Sequence, residues 1–317
     1  MRRKRKGGWG WKAAGVAGVL LAGALALSWA PDVPVAALEA RWAPPPSRFV
    51  EVDGLRVHLR DQGPRDDASP IILLHGTSAS LHTWEGWVSH LPGERVVSMD
   101  LPGFGLTGPD PRGQYETLRY VRFLEALMDE LGIESAVVAG NSFGGQVAIE
   151  FALAHPARVQ KLVLVDALAY PRNAESVPLG FRLAAMPAVN GVMQHFLPRF
   201  VIANSVRDVY GNPDRVSPAL VERYYDLAVR EGNRAALGQR FRHLPTEADA
   251  ARVATLRVPT LVLWGGRDRL IPPDNGQRLH RDIAGSQLVV FPELGHVPQE
   301  EDPAATVQPV IAFLRQP

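Results

Sequence analysis

The chain runs to 317 residues, with 34 lysines and arginines against 33 aspartates and glutamates, a formal net charge of +1, and no cysteine. The missing thiol excludes disulfides, cysteine nucleophiles and thiolate metal sites. Setting aside Arg2, Arg3, Lys4, Arg5, Lys6 and Lys12 leaves 28 basic against 33 acidic residues, so no basic face for nucleic acid is expected.

In chain order, five consecutive basic residues, Arg2 to Lys6, come first. Residues 13–30 then carry no charge over 18 positions and are bracketed by Trp9, Trp11 and Trp29. That length and flanking predict a membrane-spanning anchor within 1–30. The expectation is a single-pass protein with its N-terminus cytoplasmic and its catalytic domain beyond the bilayer, or alternatively a secreted protein after signal cleavage. Residues 31–47, with Pro31, Pro34, Pro44, Pro45 and Pro46, read as a semi-rigid stalk. The folded domain is expected over 48–317.

Strands are expected near 48–52, 55–61, 70–75, 95–100, 135–140, 161–166, 259–264 and 287–292. The middle ones are uninterrupted apolar runs, as parallel strands covered on both faces require. Helices are expected near 115–132, 143–155, 274–284 and 302–315. Right-handed crossovers then gather the loops after these strands at one edge of the sheet.

The densest signal is Gly140-Asn141-Ser142-Phe143-Gly144-Gly145, between the apolar run Ala136–Ala139 and a helical pattern that ends at Pro156. A serine between glycines at a strand-to-helix turn is a nucleophile elbow, which projects Oγ from the sheet. A serine hydroxyl needs a base and an acid to orient that base. His296, in the loop after the last strand, is the expected base. Asp268, in the loop after the 259–264 strand, is the expected acid; Asp166 and Asp100, at two other strand ends, are its rivals. The backbone N–H groups of Phe143 and Thr77 are the expected oxyanion donors. His75 reads as a brace for the Thr77 loop. No metal-ligand spacing, phosphate-binding glycine loop or internal repeat stands out, so neither a metal nor another cofactor is expected.

Between Asp166 and Pro259 no strand signal occurs. About 167–258 reads as an insertion, with Phe181, Met186, Met193 and Phe196 as candidates to line a substrate pocket. This stretch carries 12 arginines against 8 acidic residues, which suggests a face toward anionic lipid or an anionic substrate.

Leu74-His75-Gly76-Thr77, Asp100-Leu101-Pro102-Gly103-Phe104-Gly105, the elbow and the Asp268/His296 pair together resemble the α/β-hydrolase family over residues 48–315. The resemblance implies an α/β-hydrolase fold: a mostly parallel eight-stranded sheet flanked by helices, with about 167–258 inserted after strand six as a helical cap. It also implies serine hydrolase chemistry. The elbow is similar to those of carbon–carbon bond hydrolases and of many esterases, while Thr77-Ser78-Ala79-Ser80 stands where the former carry a glycine-rich loop. The leading expectation is a carboxylic-ester hydrolase for apolar acyl or aromatic esters. Alternatives are a carbon–carbon bond hydrolase or perhydrolase, and a ligand sensor that barely turns over. Expected partners are a small apolar ester and, through the N-terminal helix, a membrane; no segment indicates a protein partner.

Overall fold

A computed structural model describes residues 28–171 and 174–316, together with Gly23 and Ala26. Eight strands form one sheet: β1 (Arg48–Val52), β2 (Leu55–Gln62), β3 (Ile71–Leu74), β4 (Val96–Met99), β5 (Ala136–Asn141), β6 (Val159–Val165), β7 (Thr260–Gly265) and β8 (Gln287–Phe291). Their order is β1-β2-β4-β3-β5-β6-β7-β8. β2 is antiparallel to both neighbours and the remaining pairs are parallel.

Alternation along each strand divides the core in two. Ile72 and Leu74 face one layer with the helices Thr117–Glu130, Phe143–Ala154 and Pro273–Asp282. Ile71 and Leu73 face the other, where Trp84, Trp87, Val307, Val310 and Phe313 pack. Each large apolar side chain so buried contributes about 1.5–3 kcal/mol. Covered on both faces, the central strands can be apolar throughout, which is why their sequence was readable.

The register matters more than the layers. Leu74 pairs with Met99 and Gly140, Asn141 with Val165, and Val165 with Leu263. The carboxyl ends of β3 through β7 are therefore nearly level. β4 lies on one side of β3 and β5 on the other, so the loops after β3 and β5 diverge around a crevice, the switch point where open α/β sheets bind ligands.

Among the described residues six α-helices stand between β6 and β7: Leu179–Ala184, Pro187–Met193, Arg199–Val209, Pro218–Ala228, Asn233–Arg240 and Glu247–Val253. Their starts are locally encoded. Ser217 Oγ accepts the Leu220 N–H at 3.1 Å, with Pro218 at the first helical position. Thr246 and Asp249 form a capping box.

Two N-terminal expectations are corrected. Among the described residues no helix is long and apolar enough to cross a membrane. The carboxyl end of the expected span is instead built into the cap: Ala30 N–H donates to His195 O at 2.8 Å, Leu197 N–H donates to Ser28 O at 2.8 Å, and Trp29 packs edge-on against Phe196. The anchor, the single-pass placement and the membrane as partner fall with it; residues 1–22 lie outside the described residues. The expected stalk is also packed. Val35–Trp42 is a helix whose Leu38 is buried against Leu106 and Leu227. Arg41 bonds Glu222 and Asp226, and Val33 exchanges backbone hydrogen bonds with Val229 and Glu231. The prolines delimit this helix, Pro34 before it and Pro44–Pro46 after it, rather than stiffening a spacer.

Candidate active site

Ser142 joins β5 to the helix Phe143–Ala154 with φ 54° and ψ −117°. A non-glycine residue there stores about 1–3 kcal/mol of strain. Backbone bonds on both sides hold it: Ser142 N–H donates to Val165 O at 3.0 Å, and Leu168 and Gln146 donate to Ser142 O at 2.9 and 3.2 Å. The flanking glycines are steric necessities. A Cβ on Gly140 would collide with the Gly144 carbonyl, and one on Gly144 with the Leu74 carbonyl.

His296 and Asp268 meet. His296 Nδ1 lies 2.6 Å from Asp268 Oδ2, and both side chains are buried. Asp268 Oδ1 accepts the Leu270 and Ile271 N–H groups at 2.8 and 2.9 Å, which fixes the carboxylate. With Nδ1–H donated to Asp268, the imidazole keeps Nε2 as its proton acceptor. Ser142, His296 and Thr77 all line one cavity of about 110 Å³. Phe143 opens its helix, so its N–H has no acceptor within the helix; its ring is buried against Tyr120 and under the Arg240 guanidinium.

The rival carboxylates have other engagements. Asp100 accepts the Leu81 and Leu106 N–H groups and His58 Nδ1–H, and so ties β2 to the segments after β3 and β4. Asp166 Oδ1 accepts the Gly265 N–H at 2.9 Å. His75 Nδ1–H donates to Gly76 O and its Nε2 accepts the Leu101 N–H. Burial pushes the His75 pKa down, so it is a neutral brace beneath the Thr77 loop.

Of the four pocket candidates, Phe181 and Met193 line the cavity, together with Leu197, Ile202, Val206 and Leu237. Met186 is 52% exposed, and Phe196 is spent on packing against Trp29; neither lines the cavity. The cap's arginine surplus is largely consumed internally. Arg223 donates to Glu300, Arg234 to Asp32 and Arg252 to Glu150, while Arg199 stacks on Tyr225.

Sequence reasoning missed two positioning groups. Asn141 Nδ2 donates to Val165 O at 3.1 Å and to His296 O at 3.0 Å, bridging β6 to the histidine loop. Glu301 accepts N–H bonds from Gly211 and Asn212 of the cap and from Gly295 beside the histidine. Asp166, Asp268 and His296 also hold ligand atoms within 4.8 Å of one another, as a metal site would. Much of that donor capacity is already committed to N–H groups, which fits a hydrogen-bonded cluster better than a ligand set.

Residues 69–303 match the family model described as alpha/beta hydrolase fold. A 2-hydroxy-6-oxononadienedioate/2-hydroxy-6-oxononatrienedioate hydrolase of Cupriavidus pinatubonensis is 31% identical over 283 residues, 84% of this chain and 95% of that protein. The meta-cleavage product hydrolase CumD of Pseudomonas fluorescens superposes with a TM-score of 0.72 at 25% identity, over 84% of this chain and 97% of its own. A bacterial membrane phospholipase A superposes with a TM-score of 0.69 at 26% identity, over 95% of this chain and 94% of its own. Sheet order, elbow and family match agree: the chain belongs to the α/β-hydrolase family.

Proposed function

We propose that the chain is a serine hydrolase in which Ser142, His296 and Asp268 act together, and that it cleaves carboxylic esters of apolar acids. The observation that carries the reading is the His296–Asp268 bond of 2.6 Å at the wall of the cavity that Ser142 also lines. Ser142 Oγ attacks the carbonyl carbon as its proton passes to His296 Nε2, and Asp268 stabilises the imidazolium. The Phe143 and Thr77 N–H groups, the former at the positive end of a 12-residue helix, hold the oxyanion. Collapse expels the alcohol, which takes the proton from His296. Water, deprotonated by the same imidazole, then releases the acid and restores the serine.

The names of the curated relatives favour the carbon–carbon alternative over the ester reading, and that alternative is kept as the second reading. What supports the ester is the cavity. A dioate substrate brings two carboxylates that need cations, whereas this lining is mostly apolar. Its one arginine, Arg234, donates to Asp32 Oδ1 at 2.5 Å and to Ala30 O at 2.7 Å, and Arg223 behind Tyr224 is paired with Glu300. The phospholipase likeness, over 95% of the chain, supports it further.

Labelling with a fluorophosphonate probe tests the nucleophile: the expected adduct is on Ser142 and absent from Ser142→Ala. Equal labelling of that variant defeats the reading. Parallel assays with 4-nitrophenyl esters and a 2-hydroxy-6-oxo-dienoate decide the bond. Faster turnover of the dienoate would establish carbon–carbon hydrolysis instead.

A further inference from the structure

Asp166 follows β6 in a left-handed conformation, φ 46°, with its side chain wholly buried. Oδ1 accepts the Gly265 N–H, but Oδ2, equally buried, meets no hydrogen-bond donor among the described residues. The Asp268 carboxylate is beside it, inside the 4.8 Å cluster that includes His296. The titratable groups facing Asp166 are therefore Asp268, His296 and, further off, Glu301. Two carboxylates this close in a dry setting cannot both stay charged. As an anion, Asp166 would leave Oδ2 facing another acceptor. Carrying a proton, Oδ2 becomes a donor, and Asp268 is the acceptor beside it. Asp268 is the acceptor of the pair, because it already accepts two backbone N–H groups and His296 Nδ1–H.

We propose that Asp166 is a positioning residue, a neutral carboxylic acid that donates its proton in a hydrogen bond to Asp268 and holds that carboxylate against His296. Burial, and after it the charge of Asp268, raise the Asp166 carboxyl well above the usual carboxylate range, in agreement with this geometry. The donated bond draws charge from Asp268, which then attracts the imidazolium formed during turnover less strongly than an unshared carboxylate would. The inference rests on the Ser142–His296–Asp268 reading and adds to it a residue that acts only through Asp268.

The test follows aryl-ester turnover, and the rate of fluorophosphonate labelling at Ser142, across pH in the full chain. Asparagine suits the left-handed backbone, accepts from Gly265 and can donate to Asp268. Asp166→Asn should therefore keep kcat within about threefold and leave the acid limb of kcat/KM in place. Were Asp166 ionised, the same substitution would remove a negative charge and move the limb to lower pH by about half a unit or more, which overturns the proposal. Asp166→Ala removes the donor; the limb should rise by about half a unit with KM unchanged, and an unmoved limb counts against the proposal. In the unmodified protein at neutral pH, an infrared carbonyl band of a protonated carboxylic acid, absent from Asp166→Asn, is expected; its absence from the unmodified protein refutes the neutral acid whether or not the variants fold. Full turnover by Ser142→Ala would instead defeat the underlying triad. A displaced limb in Asp166→Asn alongside an inactive Ser142→Ala defeats only the role of Asp166.

Discussion

The sheet-side floor of the cavity and its helical roof hold their residues in different ways. On the floor, Ser142 and Asp268 are fixed through main-chain bonds to Val165 and to Leu270 and Ile271, and His296 through one to Val209 at the end of a roof helix. On the roof, Phe181, Met193, Ile202 and Val206 reach the cavity with apolar side chains, which packing places rather than hydrogen bonds. Backbone bonds position atoms to within the tolerance that proton transfer demands, while packing fixes only volume and polarity. Substitutions on the floor should change whether the reaction occurs, and those on the roof which substrate enters.

The largest expected effect lies on the floor. Ser142→Ala should lower ester turnover by about 10⁴-fold or more with folding intact by circular dichroism, and Asp268→Asn by about 10³–10⁴-fold with a small change in KM. Residual activity of the Asp268 variant near the unmodified level would return the role of acid to Asp166.

Where floor and roof meet, Glu301 is the clasp, since its carboxylate accepts N–H bonds from both the cap and the histidine loop. Glu301→Gln presents an amide donor to those donors and should cost about 1–3 kcal/mol, read as a lower Tm, with kcat down about tenfold. A lower Tm with unchanged kcat would mean that the cap is clasped for stability and has no part in aligning His296. On the roof itself, Val206→Phe fills the cavity. It should lower kcat/KM for octanoyl esters by about tenfold and for acetyl esters by less than about twofold. An equal fall for both would show that the acyl chain lies elsewhere.

The same contrast decides what the sequence disclosed. All eight strands were legible because each is a compact run with a local pattern, and the elbow because glycines are needed at fixed offsets around Ser142. That Asp268 and His296 would meet followed from their places after strands. Asn141 and Glu301 did not, because their partners are 155 and 90 residues away and no local pattern encodes such a bond. Met186 and Phe196 looked like pocket residues because composition reports how much apolar bulk a cap holds, not which way a short helix turns it. The prolines of 31–47 suggested a spacer because the apolar face of Val35–Trp42 has meaning only against Leu106 and Leu227.

The smallest effect tests how the N-terminal strap reaches the floor. His82 Nε2–H donates to Trp42 O at 2.9 Å and Nδ1 accepts from Ser80 Oγ at 2.9 Å, so the neutral ring ties the Val35–Trp42 helix to the loop that carries Thr77. Burial lowers the His82 pKa to about 4; nearby Asp100 and Glu85 oppose the shift, and Arg223 and Arg60 reinforce it. A depressed histidine binds its proton more readily unfolded than folded, so its contribution is complete above the unfolded value near 6.5 and fades as pH falls toward 4. The expected Tm therefore declines through that window, and His82→Gln should be less stable at pH about 8 but decline less steeply on acidification. Ester turnover by His82→Gln at pH about 8 then separates two roles for the strap. Unchanged turnover means that it only covers the domain, whereas a fall with KM unaltered means that it steadies the Thr77 loop for the oxyanion.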